Sequence, residues 1–340
     1  MQTLLLTGGT GFFGRSILDA FRRDLLAPFG IGRVIALARH ASRMRTESPE
    51  LCGAGVELID ADVLKVSSIF DADVVIHAAA SSDARRYRSS PDEEEKIIVE
   101  GTRRVCEAIA KSRHRPQLLY VSSGAVYGRQ PPGVAALAED APQIDDATSG
   151  KEAYTLGKRA AEVIVRELTE SSHVPSRIAR CFAFVGPWLP RDQHFAIGNF
   201  LGNALRGESI EVRARHPVIR SYLHADDLAV WLLRIATADL DGCEVFNVGS
   251  DEAVSIRELA TMVAKIGGVA VSLPEMSPRE TGDSIAQVDR YVPDISKARR
   301  ELGLAVTIPL RVAVECTLDA LKEMTSKQDK DGARASAAIL

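Results

Sequence analysis

Short apolar runs alternate with longer amphipathic stretches through the first 125 residues of this chain. Residues 3–7, 33–38, 56–59, 74–78 and 118–122 are apolar almost continuously rather than at every second position. That pattern predicts strands covered on both faces, as in a parallel sheet. Between them, residues 15–26 and 96–111 follow a helical pattern; in the second, Ile98, Val105 and Ile109 recur on one face. Repeated βα units of this kind predict an α/β fold with a Rossmann-type doubly wound parallel sheet, which binds ligands at the carboxyl ends of its strands. A further helix is expected over 152–170 and a strand over 176–182. Residues 228–236 and 244–249 then read as a helix and strand returning to the sheet.

After Gly186-Pro187 the texture becomes irregular, and from Val254 onward small helices and loops are expected. The expected division is a dinucleotide-binding domain of residues 1–182 with about 225–250, and a smaller C-terminal substrate-binding domain of 183–224 with 251–325. Residues 326–340, polar and Ala-rich, read as a frayed tail.

Composition narrows the class. With 46% hydrophobic and 26% charged residues and a net charge of −4, the chain presents no basic field for nucleic acid or an anionic membrane. The five cysteines (Cys52, Cys106, Cys181, Cys243, Cys316) form no CxxC pair and no Cys/His cluster, which predicts reduced thiols and no metal site. The opening apolar run is too short for a signal peptide, and no stretch approaches the ~18 apolar residues of a membrane span. A soluble cytoplasmic enzyme is expected.

The first strand runs into Thr7-Gly8-Gly9-Thr10-Gly11-Phe12-Phe13-Gly14, a TGxxGxxG loop opening a helix. Gly8 permits the tight turn, Gly11 lets backbone approach a pyrophosphate, and Gly14 lets helix and strand pack closely. The helix N-terminus adds N–H donors and the positive end of its dipole. Gly8, Thr10, Gly11, Phe12, Phe13 and Gly14 are therefore candidate dinucleotide contacts. The second strand ends Leu37-Ala38-Arg39-His40-Ala41-Ser42-Arg43, without the acidic residue that usually holds an NAD ribose. Arg39, with Ser42 or Arg43, is suited to a 2′-phosphate, so NADP(H) is favoured and NAD(H) remains open. Ala78 and Ala79, after His77, leave room for the cofactor; His77 itself is assigned no chemistry.

The fifth strand ends in Ser122-Ser123-Gly124-Ala125, and Tyr154-Thr155-Leu156-Gly157-Lys158 lies near the start of the next helix. The YxxxK spacing places both side chains on one helical face. The Lys158 charge is expected to lower the Tyr154 pKa and to orient the nicotinamide ribose, while Tyr154 exchanges a proton with a sugar oxygen. Ser123 would hydrogen-bond the same oxygen.

With these segments in view, the sequence resembles the extended short-chain dehydrogenase/reductase family, in its nucleotide-sugar epimerase/dehydratase/reductase group. The shared marks are TGGTGFFG at 7–14, Asp62-Val63, HAAA at 77–80, SSGAVYG at 122–128, YTLGK at 154–158, RCFAFVGP at 180–187, IRSYLHADDLA at 219–229, FNVGS at 246–250 and PDISKARRELG at 293–303. The resemblance selects Ser123 rather than Ser122 and implies that Asp62 and Val63 meet the adenine. It further implies a nucleoside-diphosphate sugar held by Arg220 and Asn199, and a homodimer formed by helices 96–111 and 152–170. Three departures stand out. The Asp-Glu pair of the dehydratases is replaced by Gly124-Ala125, which removes the acid/base pair needed for 4,6-dehydration. Two family asparagines are replaced by Ile98 and Ala183, and a late family arginine falls on Glu280, with Arg279 beside it as a candidate substitute. The expected activity is redox chemistry at C4 of the sugar, with NADPH-dependent reduction of a 4-keto-6-deoxy sugar ahead of 4-epimerisation with tightly bound NAD. A non-catalytic dinucleotide sensor or scaffold would normally have lost the tyrosine or lysine.

Overall fold

The computed structural model describes residues 1–81, 83–145, 152–275 and 288–337, apart from the side chains of Ala84 and residues 328–337. Seven strands form one sheet: β1 (Gln2–Thr7), β2 (Ile31–Ala38), β3 (Val56–Asp60), β4 (Val74–His77), β5 (Gln117–Ser123), β6 (Ser176–Cys181) and β7 (Cys243–Val248). Every neighbouring pair is parallel, in the order β7-β6-β5-β4-β1-β2-β3. The strand order reverses direction between β1 and β4, so the connections leave in opposite directions there and open a crevice at the carboxyl ends.

Seven longer helices are α1 (Phe12–Arg22), α2 (Pro91–Lys111), α3 (Glu152–Ser172), α4 (Ala196–Leu205), α5 (Ala225–Ala236), α6 (Ile256–Gly267) and α7 (Leu310–Ala337). Apolar residues of α1 and α5 cover one face of the sheet, with Leu4, Leu6, Ile17, Leu228 and Trp231 fully buried. Those of α2 and α3 cover the other, around Leu5, Ile98, Val105 and Val165. Burial on both faces accounts for the unbroken apolar runs of the strands. A third core joins α4, α6 and α7 through Leu201, Leu259 and Val314. The segment between them returns to the sheet, where Ile295, Ala298, Leu302 and Leu304 pack into the first core.

One expectation is corrected. The first helix begins at Phe12, straight from the glycine loop, and ends at Arg22. Residues 326–337 continue α7. The packed start of α7 supplies the costly nucleus, and Ala, Lys, Arg and Gln then propagate it. Among the described residues, no helix is long and apolar enough to cross a membrane.

Candidate active site

The glycine loop is fixed by backbone geometry. Gly8 adopts φ +77°, and a Cβ there would lie 2.5 Å from the Ala78 carbonyl oxygen. Only glycine lets the ends of β1 and β4 come this close. The N–H groups of Gly8 and Gly9 donate to the Leu37 carbonyl at 2.9 and 3.2 Å, so the turn is stitched to β2. A Cβ on Gly14 would run into the Gly9 backbone, which explains how α1 sits directly on the loop. No side chain caps α1, leaving its first N–H groups available to an anion. Phe12 and Phe13 turn towards Phe184, with ring centroids 6.0 and 5.4 Å from it. Thr10 contributes its carbonyl to Arg15 Nε at 3.0 Å.

Beyond the loop, Gly8, Gly11, Phe12, Phe13, Ala78, Ser123, Tyr154, Lys158, Asn199 and Arg220 line one cleft of about 1970 Å³. The structure thus brings together the expected loop, triad and substrate residues. It does not bring Thr10, Gly14, Arg39, Asp62, Val63 or Ala79 to the cleft wall. Asp62 instead accepts from Leu64 N at 3.0 Å and starts a short turn. Val63 is buried against α2, where Gly101 makes room for it. Arg39 is exposed at the end of β2 and has no ion pair among the described residues. Ser42 is already engaged, because Asp60 accepts from its backbone N at 2.7 Å and its hydroxyl at 2.6 Å. Asp60 pairs across the sheet with Ala38, so a carboxylate missing from β2 stands on its neighbour. Sequence reasoning confined to β2 overlooked it.

The candidate catalytic residues come from β5 and α3. Ser123 Oγ accepts from Ala125 N at 3.1 Å. Lys158 is 4% exposed, and its ammonium donates to the Val121 carbonyl at 2.7 Å. Its Nζ lies 4.8 Å from the Tyr120 ring centre and 5.8 Å from that of Tyr154. Burial lowers the Lys158 pKa to about 8. The expectation that Lys158 would depress the Tyr154 phenol is corrected. Burial raises Tyr154 to about 12, with the Ser123 hydroxyl pulling only weakly the other way. Desolvation penalises the phenolate more than any nearby group favours it.

The substrate candidates have partners of their own. Arg220 bonds to Asp289 at 2.8 Å and to two backbone carbonyls, not to Asp226 or Asp227. Asp226 is taken by Arg23, and Asp227 holds Thr307 and Ile308. Asn199 donates to the Gln193 carbonyl at 2.8 Å. Arg279 lies outside the described residues.

Three further residues escaped sequence reasoning. Tyr291 places its hydroxyl 2.6 Å from where a Gly124 Cβ would lie, and its ring 4.6 Å from that of Phe182. Tyr87 packs on Tyr154. Glu162, buried one turn beyond Lys158, accepts from Ser122 at 2.6 Å and from Arg180 at 3.0 and 2.8 Å. The i+4 spacing of Lys158 and Glu162 was the one available signal for any of them.

This arrangement has relatives. Residues 4–249 match the NAD dependent epimerase/dehydratase family. UDP-glucuronic acid decarboxylase 6 of Arabidopsis thaliana is 27% identical over 311 residues, spanning 91% of this chain and 85% of that protein. UDP-glucose 4-epimerase of Mycolicibacterium smegmatis is 26% identical over 320 residues, spanning 94% and 98%. Among solved structures, UDP-glucose 4-epimerase with UDP-glucose from Thermotoga maritima superposes with a TM-score of 0.78 at 21% identity, covering 95% of this chain and 99% of that one. A dTDP-glucose 4,6-dehydratase from Streptomyces venezuelae, with NAD bound, gives 0.76 at 20% identity, covering 94% and 97%. The structural likenesses establish the fold, and the family match runs from β1 to the end of β7. The chain belongs to the NAD dependent epimerase/dehydratase family.

Proposed function

We propose that this protein exchanges a hydride and a proton at C4 of a nucleoside-diphosphate sugar, and that its reaction is NADPH-dependent reduction of a 4-keto-6-deoxy sugar. The observation that carries the reading is the common cleft of Ser123, Tyr154 and Lys158 beside the glycine loop, with Gly124 and Ala125 next to Ser123. Bound dinucleotide supplies the hydride. The close-fitting Gly8 turn and the uncapped start of α1 suit its pyrophosphate. Tyr154, held near 12 by burial, is a neutral phenol at neutral pH and so stands in the donor form that reduction requires. It hands its proton to the C4 oxygen as that oxygen becomes a hydroxyl. Ser123 holds the oxygen in place, and Lys158 would fix the nicotinamide ribose.

Gly124 and Ala125 offer no carboxylic acid to remove water from neighbouring carbons, which argues against elimination. Arg39, exposed and unpaired among the described residues, favours a 2′-phosphate and hence NADP(H). The sugar nucleotide is proposed to lie between the carboxyl ends of the strands and the core of α4, α6 and α7. Its diphosphate would meet Arg220, with Asn199 and Arg279 as further contacts. Leu156 and Val163, 49% and 53% exposed two turns apart on α3, support a homodimer through α2 and α3.

A 4-epimerase with retained NAD is the second reading, favoured by the nearly end-to-end alignment with the mycobacterial UDP-glucose 4-epimerase. Denaturing the purified protein and identifying the released dinucleotide separates the two. An empty site, with NADPH oxidised on adding dTDP-4-keto-6-deoxyglucose, supports the reductase. Stoichiometric NAD, with interconversion of UDP-glucose and UDP-galactose, supports the epimerase and overturns the first reading.

A further inference from the structure

The segment after β4 carries a tyrosine that the chemistry above does not use. A short helix, Ala84–Ser89, starts on Asp83, whose side chain accepts from Arg85 N at 2.9 Å. Tyr87 in this helix is 6% exposed, and its hydroxyl donates to the Ser81 carbonyl at 2.7 Å. Its ring meets Tyr154 edge to face, with centroids 5.1 Å apart and planes at 74°. The preceding residue, Arg86, pairs at 2.5 Å with Glu94, a buried carboxylate on α2. The helix is thus tied to α2 on one side and to its own loop on the other. Both ties hold the Tyr87 ring against Tyr154.

We propose that Tyr87 is a positioning residue for Tyr154, fixing the orientation of its ring and keeping water from the face that Tyr87 covers. The proposal rests on the reading of Tyr154 as the proton donor. A phenol has only two side-chain torsions, and an edge-to-face neighbour restricts the one that swings the hydroxyl across the cleft. The other groups around Tyr154 are Ser123 on β5, Cys181 on β6, Lys158 on its own helix, and the hydroxyls of Tyr120 and Tyr291. None of these packs a ring edge to face on Tyr154, so among the described residues the buttress is particular to Tyr87.

Two variants separate the ring from its hydroxyl. Tyr87→Leu keeps apolar bulk and removes the aromatic contact, whereas Tyr87→Phe keeps the ring and loses only the bond to Ser81. Nitration of Tyr154 by tetranitromethane, followed by peptide mass mapping, reports access to its phenolate without any substrate. In Tyr87→Leu the nitration rate should rise about two- to tenfold, the range an edge-to-face contact commands. With dTDP-4-keto-6-deoxyglucose and NADPH, kcat should fall by a similar factor while KM is unchanged. Tyr87→Phe should stay within about twofold of wild type on both measures. Wild-type nitration and kcat in a folded Tyr87→Leu, or an equal loss in Tyr87→Phe, would overturn the positioning role. Tyr154→Phe is measured alongside. If it keeps full turnover, the C4 reading fails, while the nitration rates still decide whether Tyr87 shields Tyr154.

Discussion

Lys158 should cost this protein stability, and replacing it with methionine should make the fold firmer while ending turnover. The amine is nearly sealed from water, and burial moves its pKa from the ordinary 10.5 to about 8. The unfolded chain therefore holds its proton more tightly than the folded chain does. Below pH 8 both states carry the charge, and the folded state bears the whole penalty, about 3 kcal/mol for a gap of this size. Between pH 8 and 10.5 the unfolded state binds more protons, so this part of the stability rises with pH. Methionine has a similar length and no charge. Its cost is one donor lost from the Val121 carbonyl, about 1 kcal/mol.

At pH 7 the net gain for Lys158→Met is then about 2 kcal/mol, seen as a rise of a few degrees in Tm. At pH 9.5 the penalty in the wild type has shrunk to about 1 kcal/mol, and the two proteins should melt together. Thermal unfolding of nucleotide-free protein by circular dichroism at the two pH values measures this directly. A Tm that falls at pH 7, or a rise that is the same at both, would refute a buried ammonium whose desolvation outweighs its contacts.

Arg39→Ala should weaken NADPH binding by about 10- to 100-fold, the worth of a charge-assisted bidentate contact, and leave NADH binding unchanged. Equal losses for both, measured by fluorescence titration, would remove the 2′-phosphate role. Gly124→Ala should destabilise the fold by about 1–3 kcal/mol, because the new methyl would sit 2.6 Å from the Tyr291 hydroxyl and 2.8 Å from the Phe182 ring. An unchanged urea midpoint would show that neither ring presses on that glycine. Arg180→Leu should cost about 3–5 kcal/mol by leaving Glu162 buried without its cation, and adding Glu162→Leu should recover much of the loss. Equal stability of the single and double variants would count against the pair.

Much of this was legible in the sequence because it depends on short-range order. The strands of the sheet announce themselves as unbroken apolar runs, and TGxxGxxG and YxxxK are spacings within one turn or one helix. Residues that meet only through the tertiary fold were hidden. Tyr291 reaches Gly124 from a small strand far along the chain, and Asp60 serves the β2 loop from the next strand. Tyr87 sits in a polar, Arg-rich stretch that reads as solvent-facing, and only its contact with Tyr154 reveals an inward side. The Tyr154 pKa was misjudged for a related reason. Sequence names the charged neighbour but not the depth of burial, and here burial outweighs the charge.

The adjacent serines of β5 show how support and chemistry are divided. Successive side chains on a strand point to opposite faces. Ser123 turns to Tyr154, while Ser122 donates to Glu162. Glu162 also takes both contacts from Arg180, whose guanidinium lies 4.8 Å from the Tyr127 ring centre. Tyr127 in turn donates to Asn247 on β7 at 2.8 Å. This buried network ties β5, β6, β7 and α3 together and so sets the spacing between Ser123 and the YxxxK face. It has a second consequence. Because Arg180 and Ser122 occupy the Glu162 carboxylate, Lys158 has no carboxylate bonded to it among the described residues, although Glu162 sits one turn away on the same helix. The network that positions the site thereby leaves its lysine a buried cation without an ion-pair partner among the described residues, poised for a ligand entering the cleft to supply further hydrogen-bond acceptors.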